Sequence, residues 1–466
     1  MIYLNDDTIC AISTPRGTGG IAIIRISGPR AIEITDSIWH GKPLGEVRTH
    51  TAHYGELRDP VHPNQPLDEC VATVFRAPHS YTGEDTVELS VHGSKWIQRE
   101  TVSLLISHGC RLAERGEFTR RALMNGRIDI TQAEGIADII ASSSRAAHRI
   151  AMNQMKGGIS RRLSSLRQSL IDISALLELE LDFSEEDVEF ADRSRLISLA
   201  TDIYDELRRL HSTFSHGNAI KEGIPVAIAG ATNAGKSSLL NALLQDDRAI
   251  VSDIHGTTRD TVEETLEIGD YLFRFIDTAG LRETTDEIER IGIRKSHEAI
   301  GHARIVMLVI DPTQPLSDIH LSPIYDAKAE HAIIVINKSD IVSEDVIKDV
   351  IDKIEHTSSL YKYDIVTLSA KSGDGIGRLT NLLTTKMDED TAAGTDNIIT
   401  NLRQATALAT AAESTAALIS ALQSTLPTDL VAEHLRETLH HLSTITGTIP
   451  STEILNTIFS RFCIGK

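Results

Sequence analysis

Apolar residues change their spacing along the chain in a way that divides it into four stretches. Residues 1–125 alternate short runs rich in β-branched and apolar residues, at 21–26, 70–75 and 86–91, with turns rich in Gly and Pro. That rhythm predicts a small α+β domain. Over residues 126–219 the period lengthens. Leu163, Leu166, Leu170, Ile173 and Leu177 recur at steps of three and four, as one stripe of a helix requires. Between 220 and 385, apolar strand candidates at 225–229, 272–276, 305–310, 332–336 and 365–368 mostly alternate with helical stretches. The economical arrangement is a mainly parallel sheet with helices on both faces. Helical spacing returns over 386–466, where Leu402, Leu408, Leu418, Leu422 and Leu430 run through an Ala-rich segment.

Neither helical stretch can bury its apolar stripe alone, so the pattern predicts one helical domain interrupted by an insertion. The expected fold class is multidomain: an α+β N-terminal domain, an α-helical domain in two parts, and an inserted Ras-like α/β phosphate-loop domain.

Composition narrows this picture. At 466 residues the chain is long enough for several compact units. It has no apolar run of roughly eighteen residues or more and no basic-then-apolar leader, which predicts a cytoplasmic protein that neither spans a membrane nor is secreted. Cys10, Cys70, Cys110 and Cys463 form no CxxC pair, which fits a reducing compartment and argues against structural zinc. The net charge of -20, from 46 basic and 66 acidic residues, disfavours non-specific contact with nucleic acid and leaves that role to a local basic patch.

The strongest chemical signal is Gly230-Ala-Thr-Asn-Ala-Gly235-Lys236-Ser237, which follows one strand candidate and opens a helix. Glycines there let backbone N–H groups curl around phosphate oxygens at a helix N-terminus. Lys236 would reach the β- and γ-phosphates and the Ser237 hydroxyl would ligate Mg²⁺. Downstream, Asp277-Thr278-Ala279-Gly280 ends a second strand candidate, placing Asp277 by Mg²⁺ and the Gly280 N–H by the γ-phosphate. Asn337-Lys338-Ser339-Asp340 ends another, and Ser369-Ala370-Lys371 ends the last. Asp340 can accept hydrogen bonds from the N1–H and exocyclic amine of guanine, a pair that adenine does not offer. All these segments lie at strand C-termini, where open α/β sheets bind ligands. GTP is the expected nucleotide.

Together these segments resemble the Ras-like GTPase superfamily, with one departure. Where Ras-like proteins carry the glutamine that orients the attacking water, this chain has Leu281. Either hydrolysis is lost or a nearby polar residue does the work, with Arg282, Glu283, Asp286, Glu287 and Glu289 within reach in sequence.

Further segments sharpen the resemblance. Gly256-Thr-Thr-Arg-Asp260, Asp277-Thr-Ala-Gly-Leu-Arg282 and Glu289-Arg-Ile-Gly292 resemble the MnmE (TrmE) family of bacterial tRNA-modification GTPases. So do Gly19-Gly-Ile-Ala-Ile-Ile-Arg25-Ile-Ser-Gly28, Ser80-Tyr-Thr-Gly-Glu-Asp85, Gly116-Glu-Phe-Thr-Arg-Arg121 and the terminal Phe462-Cys-Ile-Gly-Lys466. The phosphate loop commonly reads Gly-Arg-Pro-Asn in that family and reads Gly230-Ala-Thr-Asn233 here. A common Gly-His-Gly-Gly is replaced by Val91-His92-Gly93-Ser94.

The resemblance implies a homodimer with four segments: residues 1–125 for folate binding and dimerisation, 126–219 and 386–466 for the helical domain, and 220–385 for the G domain. It implies that, with an FAD-dependent partner (MnmG, also called GidA) in a heterotetramer, the protein modifies C5 of the wobble uridine of certain tRNAs. The one-carbon unit would come from a reduced folate, 5-formyl- or methylene-tetrahydrofolate. It extends the GTP contacts over Asn233, Ala234, Gly235, Lys236, Ser237 and Ser238, and over the switch residues Ser252, Asp253, Ile254, His255, Gly256, Thr257 and Thr258. Thr258 becomes a second Mg²⁺ ligand and Glu289 the residue that orients water. Asn233, Ser252, Ile254 and Thr257 hold K⁺. Arg25, Glu88, Arg127 and Lys466 are implied for folate, while Cys463 is either reactive in the modification or an incidental thiol.

No acidic residue lies between Asp138 and Asp172, whereas Arg145, Arg149, Lys156, Arg161, Arg162 and Arg167 do. On one continuous helix Arg145, Arg149, Lys156 and Arg167 would share about 40° of arc, an alignment that a helix break at Gly157-Gly158 would ruin. A tRNA-backbone contact and a solvated face both remain open for this stripe. Beside the modification enzyme stand two rival readings, a GTP-switched ribosome-assembly or RNA-binding factor and, because of Leu281, a catalytically dead scaffold.

Overall fold

The computed structural model describes residues 7–182, 193–245, 249–251, 263–277, 300–315, 329–357, 362–392, 397–424, 428–446, 458–459, 462 and 465. The chain forms two compact units, one of residues 1–137, 154–168 and 439–466, the other of 138–153 and 169–438.

In the first unit, strands β1 (Thr8–Ile12), β2 (Ile21–Ser27), β3 (Trp39–Gly41), β4 (Thr51–Arg58), β5 (Pro66–Phe75), β6 (Thr86–His92) and β7 (Cys110–Leu112) form one sheet. Their order is β3-β4-β5-β6-β2-β1-β7, antiparallel except where β7 joins β1. Alternation along β2 and β6 turns Ile24, Ile26, Val87, Leu89 and Val91 into a core shared with residues of the helices Ala31–Ser37 and Lys95–Ser107. The same alternation puts Arg25 and Glu88 on the opposite face, directly paired in register. The tight crossing at Gly93 is held by Gly19 N–H donating to the Gly93 carbonyl at 3.1 Å and Gly93 N–H donating to Gly20 at 3.4 Å. Ser94, where the family commonly has glycine, caps the helix that follows by accepting from the Trp96 N–H.

Two family-like segments meet in one ion network. Arg121, 3% exposed, donates to Asp7, Glu84 and Glu117, while Arg111 donates to Asp7 and Glu117. Burial pushes the Glu117 carboxyl upward, but the Arg111 bond, the Glu114 amide and the nearby guanidinium charges outweigh it and hold it below its ordinary value. Asp7 is held down likewise, its burial outweighed by Arg111 and Arg121. Groups with depressed pKa contribute stability above their unfolded-state pKa and lose it as pH falls through the folded value. Melting temperature is therefore expected to be flat above the ordinary carboxylate range and to fall below it. Glu117→Gln should cost about 2 kcal/mol at neutral pH and make that acid-side fall shallower. A melting profile against pH identical to that of the parent protein would contradict this.

The second unit carries a sheet of β8 (Ile224–Gly230), β9 (Ala249–Val251), β10 (Glu263–Ile268), β11 (Tyr271–Asp277), β12 (Ile305–Ile310), β13 (His331–Ile336) and β14 (Asp364–Thr367). The order is β14-β13-β12-β8-β11-β10-β9, parallel from β14 to β11 and antiparallel thereafter. Val226, Ile228, Met307 and Val335 face a core shared with the helices Lys236–Leu244 and Ile376–Ala392. Ala227, Val306, Leu308 and Ile334 face another, shared with Val350 and Ile354 of the helix Glu344–Thr357. The mainly parallel, doubly covered sheet expected from the apolar runs is present. Strand β10 carries Glu263, Glu264 and Glu267, which hid it in the apolar pattern.

The helix Leu402–Gln423 packs along the helix Arg193–Ser212. Among the described residues it alone has the length and apolar content to cross a membrane, yet Gln404, Ser414 and Thr415 are buried with Leu408, Leu418 and Leu422. That pattern belongs to a core helix. Leu402 and Leu430, expected on the apolar stripe, are exposed. Thr213 Oγ1 accepts from the Ile399 N–H at 3.0 Å, so the chain leaving the inserted sheet returns close to where it set out. The tip of the β10–β11 hairpin meets the helix Arg145–Met155, with the Ala146 N–H donating to the Asp270 carbonyl at 2.9 Å.

The continuous basic stripe does not form. Gly157 takes φ +75°, which ends the helix Arg145–Met155 before the helix Gly158–Asp182 begins. Arg145 and Arg149 therefore stand on a different helix from Arg161, Arg162 and Arg167, and Arg145 faces the Asp270 carboxylate at 3.6 Å.

Candidate functional site

Strand β8 runs into the phosphate loop and the helix Lys236–Leu244 leaves it. The backbone takes φ +66° at Asn233 and φ +96° at Gly235, so consecutive N–H groups turn toward the mouth of the loop. A side chain at Gly235 would place its Cβ 2.2 Å from Asn337 Nδ2, so only glycine fits. Lys236 is 6% exposed, and its Nζ donates to the Gly230 and Ala231 carbonyls at 2.8 Å each. The ammonium is thus held across the loop where a β- or γ-phosphate oxygen would sit. Ser237 and Ser238 follow it on the exposed first turn of the helix.

The loop that carries Asp340 and the loop around Lys236 are tied together by one amide. Buried Asn337 donates through Nδ2 to the Ala234 carbonyl at 2.9 Å, and its Oδ1 accepts from the Ala370 N–H at 3.0 Å. Ser369 donates through Oγ to Asp340 Oδ1 at 2.7 Å, which orients an otherwise exposed carboxylate. Lys338, at φ +59°, donates to Asp311 Oδ2 at 2.6 Å, while Lys371 is exposed beside Ala370. Burial pushes the Asp311 carboxyl upward, but Lys338 and the two Thr313 donors outweigh it and hold it below the usual range.

The structure therefore brings together Asn233, Ala234, Gly235, Lys236, Asn337, Lys338, Asp340, Ser369 and Ala370 around one mouth at the C-terminal edge of the sheet. Asp277 ends β11, which pairs with β8, and its backbone lies beside Ile228. Ser252, Asp253, Ile254, His255, Gly256, Thr257, Thr258, Thr278, Ala279, Gly280, Leu281 and Glu289 lie outside the described residues.

The first unit carries a second polar cluster. Arg25 Nε donates to Glu88 Oε1 at 2.8 Å, and the guanidinium lies over the rings of Tyr81 and Phe118, 5.3 and 5.6 Å from their centres. Arg127 stands at the neighbouring loop: a Cβ on Gly83 would come within 3.2 Å of its Cγ. That loop is clamped through Glu84 to Arg121 and Ser27. The Gly465 carbonyl accepts from Ser13 Oγ at 2.9 Å, which holds Gly465 on this unit, while Cys463 and Lys466 lie outside the described residues.

Two families of known proteins match the chain. The family described as "GTP-binding protein TrmE N-terminus" matches residues 8–127, and "MnmE helical domain" matches residues 130–463. The chain is 47% identical to a tRNA modification GTPase MnmE of Parabacteroides distasonis, over 98% of this chain and 100% of that one. The chain belongs to the MnmE family. A Flavobacterium johnsoniae MnmE is 44% identical over 99% of this chain and its own full length. A solved structure of Aquifex aeolicus Era bound to GDP and aluminium fluoride is 27% identical over 41% of this chain and 65% of that one, with a TM-score of 0.28.

As a member of the MnmE family the protein binds GTP and is a GTP hydrolase. Its departures in the phosphate loop fall at exposed positions. Ala231 and Thr232, in place of the commoner Arg-Pro, are exposed on the loop rim, and Ala231 meets Lys236 through its backbone carbonyl. Sequence inspection overlooked Asp311 because its partner Lys338 is 27 positions away. Tyr81, Phe118 and Arg121, which shape the surroundings of Arg25, stood in family-like segments without any assigned role. The strand-terminal position of Asp311 was the one signal that could have pointed to it.

Proposed function

We propose that this chain is a potassium-stimulated GTPase that modifies C5 of the wobble uridine of certain tRNAs, working as a homodimer with an FAD-dependent partner in the cytoplasm. The observation that carries the nucleotide half is the Asn337 amide, which ties the loop around Lys236 to the loop that orients Asp340. Triphosphate and guanine are thereby held at a fixed separation.

In this reading Ser237 and Thr258 ligate Mg²⁺, and Glu289 orients the attacking water in place of the glutamine that Leu281 displaces. Asn233 stands exposed on the loop rim with its backbone already in the left-handed region, which fits a side-chain oxygen turned outward as a K⁺ ligand. Ser252, Ile254 and Thr257 complete that set. A monovalent cation there supplies the positive charge that other GTPases take from an arginine, worth about 10³–10⁵ in rate.

The Arg25–Glu88 pair under Tyr81 and Phe118 supports a reduced-folate site. The carboxylate suits the amino and N–H edge of a pterin, the partly exposed Tyr81 ring suits its flat face, and Arg127 with Lys466 suits the glutamate tail. Cys463 is two positions before Gly465 in sequence and is proposed as a thiol for the modification chemistry.

GTP turnover of the full chain in potassium is expected to exceed that in sodium by about 10²-fold or more, and Glu289→Ala should remove most of it. Equal rates in the two salts would overturn the potassium mechanism. Equilibrium dialysis tests the folate half, and a chain without affinity for 5-formyl-tetrahydrofolate would favour an assembly-factor reading instead.

A further inference from the structure

A pocket of about 900 Å³ opens in the first unit between the loop that follows β1 and the first turns of the helix Lys95–Ser107. Four cations line it: Arg16, Lys95, Arg99 and Arg115. Its floor is apolar, with Leu112 and Phe462 contributing. Neither the nucleotide site nor the Arg25–Glu88 cluster uses any of these residues. Along β1 the side chains alternate: Ile12, which lines the pocket, belongs with Cys10 to the core on the helix side, whereas Ala11 packs with Phe118 on the Arg25 side. The pocket therefore lies on the opposite face of the sheet from Arg25 and Glu88.

The charges are arranged against the character of the chain. The protein carries a net charge of -20, so cations have abundant carboxylates to pair with. Arg30, Arg58, Arg111 and Arg121 of the same unit each hold one. Among the described residues Arg16, Lys95 and Arg115 hold none, and Arg99 reaches only its exposed neighbour Glu100, at 2.9 Å. The frame beneath them is rigid. Buried Gln98 donates through Nε2 to the Gly17 carbonyl at 3.2 Å and to the Gly93 carbonyl at 3.0 Å, which locks the Arg16 loop to the helix that carries Lys95 and Arg99. Leu112 is 49% exposed at this floor, so its side chain is open to a ligand.

A mouth of convergent cations over an apolar floor matches a ligand with anionic oxygens along one side and a flat uncharged body on the other. An unpaired nucleotide in an RNA strand has that form, and single-stranded RNA is bound by this combination of phosphate contacts and burial of base faces. The volume accommodates a nucleotide with its flanking phosphates. Resting on the proposed role in tRNA modification, we propose that this pocket receives an unpaired nucleotide of the tRNA substrate, its phosphates against Arg16, Lys95, Arg99 and Arg115 and its base over Leu112.

Fluorescence anisotropy of the full chain with a labelled anticodon stem-loop tests this. Arg16→Glu, Lys95→Glu and Arg115→Glu are each expected to weaken binding about tenfold and to lower the slope of log affinity against log salt by about one. Lys95→Arg should preserve both. Leu112→Ser should weaken binding about threefold with the salt slope unchanged, since it removes apolar contact and no charge. GTP turnover without RNA, and dialysis with 5-formyl-tetrahydrofolate, should match the parent protein in all variants and so report intact folding. Stem-loop affinity unchanged by the reversals would overturn the assignment. So would reversals that abolish folate binding and spare RNA, which would give the pocket to a small carboxylate instead. A parent chain with no affinity for the stem-loop would remove the tRNA reading itself, a different failure from unchanged variants.

Discussion

Lys236→Ala is expected to lower GTP affinity by about 10²–10³-fold and to bring turnover below detection. The ammonium is the charged group held at the centre of the phosphate loop, 6% exposed and braced on two carbonyl oxygens at 2.8 Å. Removing one partner of a desolvated charge contact costs about 2–5 kcal/mol, which at 1.4 kcal/mol per decade spans the stated range. Turnover suffers more than binding because the charge on the transferring phosphoryl group is greatest in the transition state, where the lysine contributes most. The fold should survive, since the two carbonyls belong to a loop whose rim is open to water. Calorimetry with GTP and a melting curve on the same preparation separate the two effects. Retention of parental turnover by a folded Lys236→Ala protein would refute the assignment of this loop.

Asp340→Asn should lower GTP affinity by a similar factor while raising the relative affinity for xanthosine triphosphate. In the proposed reading the carboxylate accepts from two donors on guanine, each charge-assisted bond being worth about 1.5–3 kcal/mol. An amide offers one acceptor, and its NH₂ opposes the guanine amine. Xanthine carries an oxygen at that position and can accept from the same NH₂. Ser369 donates to Asp340 Oδ1, so Ser369→Ala keeps the acceptor but loosens its orientation, at an expected cost of only about fivefold. Competition of GTP, xanthosine triphosphate and ATP against one fluorescent nucleotide reads all three. Unaltered base preference in Asp340→Asn would mean that guanine is read elsewhere.

How much of this was legible beforehand depended on the range of the interactions. Five apolar runs located the central strands because a strand covered on both faces must be apolar along most of its length. Strand β10 escaped because its glutamates mask an edge-side pattern, and β7 because three residues are too few to show a period. The basic stripe failed at Gly157, where a local backbone turn overrode a helical spacing that was otherwise regular. In the first unit the motifs around Glu84 and Arg121 were visible as family marks without any role. Their meaning, a clamp on the loop beside Arg25, required seeing Asp7, Glu84 and Glu117 around one guanidinium.

The amino-acid order alone determined the strand, loop and helix around Lys236 and the α+β, helical and α/β textures, and it singled out Asp340 as the candidate to read guanine. Those features arise from torsions and periodicities among residues a few positions apart, which composition and spacing express directly. Tertiary structure alone decided that Asn337 joins the two halves of the nucleotide site across 103 positions, and that Arg121 gathers Asp7 across 114. It also decided that cations from a loop and a helix line one pocket. Such contacts depend on loop closures whose entropic cost is met only when the whole core condenses, and no local pattern records which distant partner is met.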